Sequence, residues 1–197
     1  MQPKRSWRIN FRILFSVIGL AAVIASGLIW HHKTKPYHFL EVTPGILYRS
    51  GILKPHNLEK VLRQHGIKTV VNLRPIDDGN PPEWYRKETE ICKKHGVEHI
   101  DIPMRPETPP AKKQIKQWLS LLDDKSRLPV LVHCTHGVVR TGMLVAVYEI
   151  EYLHADNAKT LKALPMFGHE LWKPKRKPMR DFILNYNSRG EKKGYPQ

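Results

Sequence analysis

The chain has 197 residues, enough for one ordinary domain with a single hydrophobic core but not for two large domains. It contains 33 Lys and Arg, 18 Asp and Glu and only 2 Cys, so a small scaffold held together by several disulfides is excluded. The formal net charge of +15 indicates anionic partners, either nucleic acid, anionic lipid or phosphorylated ligands.

The N-terminal region has the sequence pattern of a membrane anchor. Residues 13–30 carry no charged side chain, and four cations precede them within residues 1–12. As a helix, a segment of this length spans about 27 Å, close to the hydrocarbon thickness of a bilayer. The preceding cations predict that residues 1–12 lie in the cytoplasm and that the rest of the chain is periplasmic or otherwise extracytoplasmic.

A cleaved signal peptide is the alternative to this anchor. Small residues around Ala25 and Gly27 stand at plausible cleavage positions, and cleavage there predicts release into the periplasm. The apolar run continues beyond both positions to Trp30, which favours an uncleaved transmembrane helix over residues 13–30. Residues 31–44 are then predicted to be a linker, residues 45–186 the globular domain and residues 187–197 a flexible tail.

Short apolar runs alternate with amphipathic segments from residue 46 onward. Strands are predicted over residues 46–48, 69–73, 97–102 and 129–133, and helices over residues 57–64, 83–94, 112–122, 139–153, 158–164 and 180–186. Asn57 is predicted to cap the first of these helices. The alternation predicts an α/β fold with a mostly parallel central sheet flanked by helices, in which ligands bind beyond the carboxyl ends of the strands.

A candidate anion-binding loop follows the most apolar of these strands. Cys134 and Arg140 are separated by five residues with Gly137 in the middle, and an apolar helix follows. A loop of this length at the start of a helix turns backbone N–H groups inward, and the helix dipole favours an anion at the same point. Arg140 offers a planar fork for two phosphate oxygens. The same surroundings favour a thiolate at Cys134.

A thiolate on the floor of a phosphate cradle is suited to in-line attack on phosphorus, which gives a phosphocysteine. The loop would stabilise the charge on the transferring group. Its phosphate-binding residues are predicted to be Thr135, His136, Gly137, Val138, Val139 and Arg140. The hydroxyl of Thr141 lies near the sulfur, where it can help the thiol to leave when water attacks.

The segment resembles the signature of the cysteine-dependent protein tyrosine and dual-specificity phosphatases, His-Cys-x-x-Gly-x-x-Arg-Thr-Gly, at each fixed position. Residues 47–51 and 66–74 also resemble the opening of bacterial exported members of that superfamily. The resemblance implies the phosphatase fold, a phosphocysteine intermediate, and neither a metal nor a cofactor. It further implies that Cys134 is the nucleophile, Arg140 the phosphate clamp and Thr141 the hydroxyl of the hydrolysis step.

The general acid is the least regular part of the pattern. In this superfamily it is usually an aspartate on a loop before the cysteine, but residues 102–110 contain no aspartate. Glu107 lies in the middle of that loop and is the favoured candidate to protonate the leaving oxygen. Asp101, at the end of the preceding strand, is the alternative.

The most direct functional hypothesis is a protein tyrosine phosphatase with dual specificity, acting on a phosphorylated protein or a small phosphomonoester. A phosphoinositide or inositol-polyphosphate phosphatase is the second hypothesis, which the basic composition suits, although Val138 and Val139 stand where relatives with such substrates often carry lysines. A weakly active phosphate-binding module is the third. Nucleic-acid binding is disfavoured because aromatic side chains do not alternate with the cations.

Several other residues have two interpretations each. His133 is predicted to be a buried orienting residue, and His136 either contacts substrate or is exposed to solvent. Cys92 is predicted to be a core residue, with a reversible Cys92–Cys134 disulfide as the alternative. Arg49 and Arg74 either line the mouth of the pocket or, as favoured, pair with acidic neighbours. The basic run at residues 173–178 is predicted to be a solvated loop, with contact to lipid headgroups or a phosphorylated partner as the alternative.

Overall fold

A computed structural model describes residues 14–24, 35–77, 79–106 and 108–190. The chain divides into two compact units, Met1–Lys35 and Pro36–Gln197. In the first unit, helix α1 is described over residues 14–24, and its large apolar side chains are exposed. Within the described ranges, no helix has both the length and the apolar character needed to cross a membrane. Residues 1–13 and 25–30, which include both ends of the predicted anchor, lie outside the described residues.

The second unit is built on a five-stranded sheet in the order β1-β2-β5-β3-β4. Its strands are β1 (Leu40–Thr43), β2 (Leu47–Ser50), β3 (Thr69–Asn72), β4 (Glu98–Asp101) and β5 (Val130–His133). Strands β2, β5, β3 and β4 pair in parallel, and β1 adds an antiparallel edge. The predicted α/β fold with a mostly parallel sheet is therefore confirmed, and the edge strand makes the sheet mixed.

Strand β1 corrects the predicted domain boundary. It lies within residues 31–44, the predicted linker, yet it pairs with β2 and belongs to the folded unit that begins at Pro36. Its four residues are all exposed or half-buried, so its sequence lacks the apolar alternation that identifies a strand. Tertiary pairing, not local pattern, determines this element.

Among the described residues of this unit, six α-helices flank the sheet, and each face of the sheet has its own hydrophobic core. They are α2 (Pro55–Gln64), α3 (Glu83–Lys94), α4 (Lys112–Asp123), α5 (Val139–Tyr152), α6 (Asn157–Ala163) and α7 (Lys177–Leu184), with short 3₁₀ helices at Lys125–Arg127 and Pro174–Arg176. Helices α2 and α3 cover one face, and α4, α5, α6 and α7 contribute to the larger core on the other. Both sides of the parallel strands are thus shielded from water, as parallel sheets require.

The ends of two elements differ from the sequence prediction. Helix α2 begins at Pro55 rather than after Asn57, no side chain caps it, and Asn57 is buried in its first turn. Proline suits this place because its fixed φ and missing N–H fit the first turn of a helix. Near the other terminus, Arg189 binds Asp123 and Glu151. Within the predicted flexible tail, Arg189 therefore packs against the folded domain. Residues 191–197 lie outside the described residues.

Candidate active site

The loop between β5 and α5, residues 134–138, lies against the carboxyl end of β2. Gly137 has φ of +65°, a backbone conformation that L side chains rarely adopt. A Cβ atom there would overlap the carbonyl of Ser50, so the close approach of the loop to β2 also requires glycine. The N–H of Ile52 donates to the carbonyl of Thr135 at 3.2 Å. The end of β2 therefore serves as the platform on which this loop, called the catalytic loop below, is held.

Cys134 is buried on the floor of this loop, and its environment favours the thiolate. Burial by itself raises the pKa of the Cys134 thiol, but hydrogen bonds from the Thr141 hydroxyl and N–H, the charge of Arg140 and the Gly137 N–H reverse that effect and lower it. Helix α5 begins directly after the loop without a side-chain cap. Its first-turn N–H groups are therefore available to an anion, as at other helix N-termini.

Arg140 extends across the catalytic loop from the first turn of α5. Its Nη2 donates to Thr135 Oγ1 at 2.9 Å, and its Nη1 lies 3.4 Å from the carbonyl of Leu73 and 3.5 Å from that of Met104. These contacts hold the buried guanidinium beside Cys134 and join the carboxyl ends of β3, β4 and β5. A fixed guanidinium fork in this place is suited to bind two oxygens of one phosphate group.

A cavity of about 250 Å³ opens above the sulfur. Its lining consists of Pro106, Cys134, His136, Val138, Val139, Arg140, His169, Lys175 and Arg176. The structure thus brings Cys134 and four of the six predicted phosphate-binding residues, Arg140 among them, into one cavity. It also contributes a basic wall (His169, Lys175 and Arg176), which lies outside the sequence motif. Desolvation lowers the pKa of His169, and the cations Arg176 and Lys175 and the rings of His136 and His38 lower it further, which marks the wall as a region of positive potential.

The basic wall corrects part of the prediction for residues 173–178. Most of the run is exposed, as predicted, but it forms the 3₁₀ helix Pro174–Arg176 and the start of α7 instead of a loop. Arg176 is buried, and its Nε has no hydrogen-bond partner among the described residues. Two cations of the run, Lys175 and Arg176, therefore line the cavity.

A buried ion pair supports the catalytic loop from behind. His133 Nε2 lies 3.0 Å from Oε1 of Glu88 on α3, and His99 Nε2 lies 3.0 Å from the same oxygen. Burial opposes charge on both partners, yet the attraction of the two histidines lowers the pKa of Glu88 to about 2, and Glu88 in turn raises the pKa of His133. His133 is therefore buried and oriented, as the sequence predicts.

Aromatic residues from two distant segments meet over the outer side of the loop. His38 stacks on Tyr37 with ring centroids 4.0 Å apart and on Phe167 with centroids 4.1 Å apart; these three rings are called the aromatic stack. Tyr37 Oη lies 3.0 Å from Nδ1 of His136, and Nδ1 of His38 donates to the His136 carbonyl at 2.7 Å. His136 is exposed, and the stack holds it by both its side chain and its backbone.

The two general-acid candidates differ in what the structure describes. Glu107 lies outside the described residues, although Pro106 next to it lines the cavity. Asp101 accepts hydrogen bonds from Asn72 Nδ2 at 2.7 Å and from Tyr85 Oη at 2.6 Å. Both carboxylate oxygens of Asp101 are thus engaged, one by β3 and one by α3, and Asp101 is not part of the cavity lining.

The remaining candidates take structural places. Cys92 and Cys134 are both buried free thiols, and burial raises the pKa of Cys92 to about 12. Arg74 packs over the ring of Trp84, with 4.1 Å from Cζ to the centroid, and forms no ion pair with a carboxylate among the described residues. Across the described residues, no three His, Cys, Asp or Glu side chains are grouped closely enough to hold a metal ion.

Sequence reasoning did not identify Glu88, Tyr37, His38 or the basic wall as parts of the site. Glu88 had a detectable signal, since it shares the buried stripe of α3 with Ile91 and Cys92, and a charged residue in such a stripe needs a partner. The other residues reach the site through long-range packing, for which the sequence pattern offers no signal.

A cysteine loop at the carboxyl end of a parallel strand, closed by an arginine on the next helix, defines the class of cysteine-dependent phosphatases. Residues 46–173 match the family described as DSP-PTPase phosphatase fused to NAD+ kinase. The chain belongs to this family, and with it to the superfamily of tyrosine and dual-specificity phosphatases.

The individual relatives include both an inositol phosphatase and a protein tyrosine phosphatase. The chain is 32% identical over 114 residues to inositol diphosphatase DSP3 of Arabidopsis thaliana, covering 56% of this chain and 52% of that protein. It is also 32% identical over 94 residues to protein tyrosine phosphatase type IVA 3 of Bos taurus, covering 46% and 49%. The chain therefore matches only about half the length of each.

A solved structure supports the fold independently. The catalytic domain of the PP-IP phosphatase SIW14 from S. cerevisiae superposes with a TM-score of 0.64 at 21% identity, covering 77% of this chain and 86% of that one. At this level of identity the likeness concerns the fold.

Proposed function

We propose that the protein hydrolyses phosphomonoesters through a phosphocysteine formed on Cys134, most directly as a protein tyrosine phosphatase with dual specificity. The observation that carries the proposal is the buried sulfur of Cys134, whose pKa is lowered by Thr141, Arg140 and the Gly137 N–H against the effect of its own burial. A buried thiol without such donors is inert.

In the first step, the Cys134 thiolate attacks phosphorus in line with the leaving oxygen. The S–P bond forms as the P–O bond to the alcohol or phenol breaks, and the leaving oxygen takes a proton from the general acid. We assign that role to Glu107, because Asp101 is held by Asn72 and Tyr85. Arg140 and the loop N–H groups, from Thr135 to Val139, stabilise the charge on the equatorial oxygens.

In the second step, water attacks the phosphocysteine. The water loses a proton to the carboxylate formed in the first step, the S–P bond breaks and inorganic phosphate leaves. The Thr141 hydroxyl is buried and makes no hydrogen bond to oxygen or nitrogen among the described residues, so it is free to stabilise the returning thiolate.

Trapping the intermediate tests this proposal. Wild-type protein quenched in acid after mixing with ³²P-labelled phosphotyrosyl peptide should carry label that is stable to acid and lost on iodine treatment, and Cys134→Ser should turn over no substrate. Cys92→Ala is the matched control, because it removes the other buried thiol and should leave both labelling and turnover intact. Labelling that persists in Cys134→Ser, or normal hydrolysis of p-nitrophenyl phosphate by that variant, contradicts the proposal. A protein that binds phosphate without turnover supports the binding-module hypothesis instead.

The basic wall favours a second candidate function, hydrolysis of inositol polyphosphates. His169, Lys175 and Arg176 line the same cavity as Cys134, so a substrate with more than one phosphate group could bind them while one group occupies the loop. The cations Lys175 and Arg176 answer the objection raised by Val138 and Val139, since they come from outside the loop. The names of two relatives, an inositol diphosphatase and a PP-IP phosphatase, agree with this candidate.

Parallel assays separate the two candidates. Arg176→Gln should raise KM for an inositol polyphosphate by about tenfold, the effect expected for a lost charge-assisted hydrogen bond, and change KM for p-nitrophenyl phosphate much less. Lys68→Gln serves as a charge-matched control at the opposite end of the sheet. Equal effects on both substrates favour the tyrosine phosphatase, and a preference for phosphotyrosyl peptide in wild type excludes the inositol candidate as the main activity.

We also propose that residues 13–30 anchor the protein in a membrane with the phosphatase domain outside the cytoplasm. The exposed apolar side chains of α1, among them Phe15, Leu20 and Val23, and the cations before it support this placement. Full-length protein should remain in the membrane pellet after carbonate extraction, and proteinase added to spheroplasts should remove the domain. A mature N-terminus near Ser26 or Leu28 contradicts the anchor and supports a cleaved signal peptide.

A further inference from the structure

Arg49 is the most deeply buried cation of the described residues, with 1% of its surface exposed. It lies at the third position of β2, and its Nη2 donates to the carbonyl of Gly137 at 2.5 Å. Its Nε and Nη1 are buried and have no hydrogen-bond partner among the described residues. The favoured sequence interpretation, pairing with an acidic neighbour, is therefore not realised.

The surroundings of Arg49 are electrostatically unfavourable for a cation. Desolvation lowers the pKa of its guanidinium to about 10, against the opposing influence of Cys134 and Glu149. A Cβ atom on Gly142 would lie 3.8 Å from Nη2, which places the charge beside the first turn of α5. Cations are disfavoured at a helix N-terminus because the helix dipole is positive there. A buried charge retained under these conditions needs a compensating anion.

The geometry identifies that anion. Arg49 lies behind the catalytic loop, bonded to the carbonyl of Gly137, whose N–H donates to Cys134 on the other side of the same residue. Arg140 approaches from the cavity side. Two guanidinium groups therefore act on the sulfur, and of these only Arg140 lines the cavity. Phe167 closes the outer side, with 5.9 Å from its ring centroid to Arg49 Cζ.

We propose that Arg49 is a positioning residue of the catalytic loop, whose buried positive charge stabilises the anionic forms of the site, namely the Cys134 thiolate and the bound phosphoryl group. This inference rests on the proposed function for its phosphoryl part and is independent of it for the thiolate. Other charges also act at this site: Arg140 on α5, Arg74 after β3 and His133, which is paired with Glu88, interact with Cys134, and the half-buried Glu149 on α5 acts on Arg49 itself.

Alkylation of Cys134 measures the thiolate without any substrate. Arg49→Gln keeps a donor for the Gly137 carbonyl but removes the charge, and Arg49→Met removes both with similar volume. At pH 6 the rate constant for iodoacetamide should fall about tenfold in both variants, because less thiolate is present. Arg49→Lys should restore most of the rate, since it keeps the charge. Arg127→Gln is the control: it removes the same charge from an exposed site beside Glu98 and Asp124, near the other end of β5.

Thermal unfolding separates this role from a purely structural one. Arg49→Met should unfold at the wild-type temperature or higher, since replacing a buried charge by an apolar side chain is often neutral or stabilising. Added phosphate should raise the unfolding temperature of wild type more than that of Arg49→Met. Wild-type alkylation rates in Arg49→Gln and Arg49→Met overturn the inference, and so does failure of both variants to fold. If wild type turns over no substrate but the alkylation difference remains, the proposed function fails while the role of Arg49 in holding the thiolate stands.

Discussion

Two cysteines, both buried and both free, lie in opposite electrostatic surroundings. Cys92 is packed in the apolar face of α3, where burial and the nearby Glu88 raise the pKa of its thiol to about 12. Cys134 is nearly as well buried, yet the donors of the catalytic loop lower the pKa of its thiol. Burial therefore does not distinguish a structural cysteine from a nucleophile. What distinguishes them is whether N–H, hydroxyl and guanidinium donors surround the sulfur.

Exchanging each thiol tests this contrast most strongly. Cys134→Ser should reduce kcat/KM by at least about 10⁴-fold, because the hydroxyl remains protonated and is a poor nucleophile. Cys92→Ala should keep kcat and lose stability instead, by about 1–2 kcal/mol for a small core truncation. Turnover of p-nitrophenyl phosphate and urea unfolding, measured on both variants, provide the two readouts. A Cys92 that reacts with iodoacetamide as fast as Cys134 contradicts the contrast.

The next largest effect is expected for the proton that the leaving group requires. Glu107→Gln should lower kcat for a phosphoserine peptide by about 10²–10⁴-fold and abolish the basic limb of the pH–rate profile, because the variant has no proton to donate. The loss should be smaller for p-nitrophenyl phosphate, whose leaving group is stable as an anion. Asp101→Asn is the matched comparison. If it removes that limb and Glu107→Gln does not, the assignment is reversed.

The catalytic loop could be predicted because its determinants are local. The pattern lies within residues 130–142, where a buried strand is followed by a glycine, an arginine and the start of a helix. These neighbouring residues determine the geometry of the loop. The parallel sheet was predictable for a similar reason, since the order of strands and helices limits the topology to few alternatives.

Residues that join the site across the fold could not be predicted. Arg49 was expected to pair with a carboxylate, whereas its partner is a backbone carbonyl 88 residues away in sequence. Lys175 and Arg176 belong to a run predicted to be a solvated loop, because its composition does not reveal that a 3₁₀ helix brings these two residues to the cavity. In each case the environment is set by tertiary packing, which overrides local preference.

The buried Glu88–His133 pair is connected to both cysteines. Glu88 raises the pKa of the Cys92 thiol, and its partner His133 interacts with Cys134. Glu88→Gln should lower the free energy of unfolding at pH 7 by about 3 kcal/mol, since one partner of a buried pair is lost. The pKa of folded Glu88 is lowered to about 2 from its ordinary value of 4.5, so its contribution is complete above pH 4.5 and is lost as the pH falls toward 2. The pKa of His133 is raised, so its contribution is present below its ordinary value and is lost as the pH rises through the raised one.

Urea unfolding at several pH values measures this prediction. Wild type should lose stability more steeply than Glu88→Gln below pH 4.5, because only wild type must protonate the buried carboxylate. Cys92 should also become easier to ionise in the variant, since Glu88 raises its pKa. Identical slopes for the two proteins in acid would show that Glu88 is not ionised in the fold.

The smallest effect is expected at the aromatic stack. A variant there tests whether the stack only holds the catalytic loop in place or also helps to ionise the Cys134 thiol. Tyr37→Phe keeps the ring that stacks on His38 but removes the hydroxyl bonded to His136. One hydrogen bond of this kind contributes about 1 kcal/mol, so KM should rise by about fivefold while kcat changes less. Alkylation of Cys134 should be unchanged, because the donors to the sulfur come from Gly137 and Thr141.

Tyr186→Phe, which removes a hydroxyl bonded to Glu151, should affect stability and not KM. If Tyr37→Phe slows alkylation, the aromatic stack influences the thiolate, and the donors around the sulfur are not sufficient by themselves to distinguish Cys134 from Cys92.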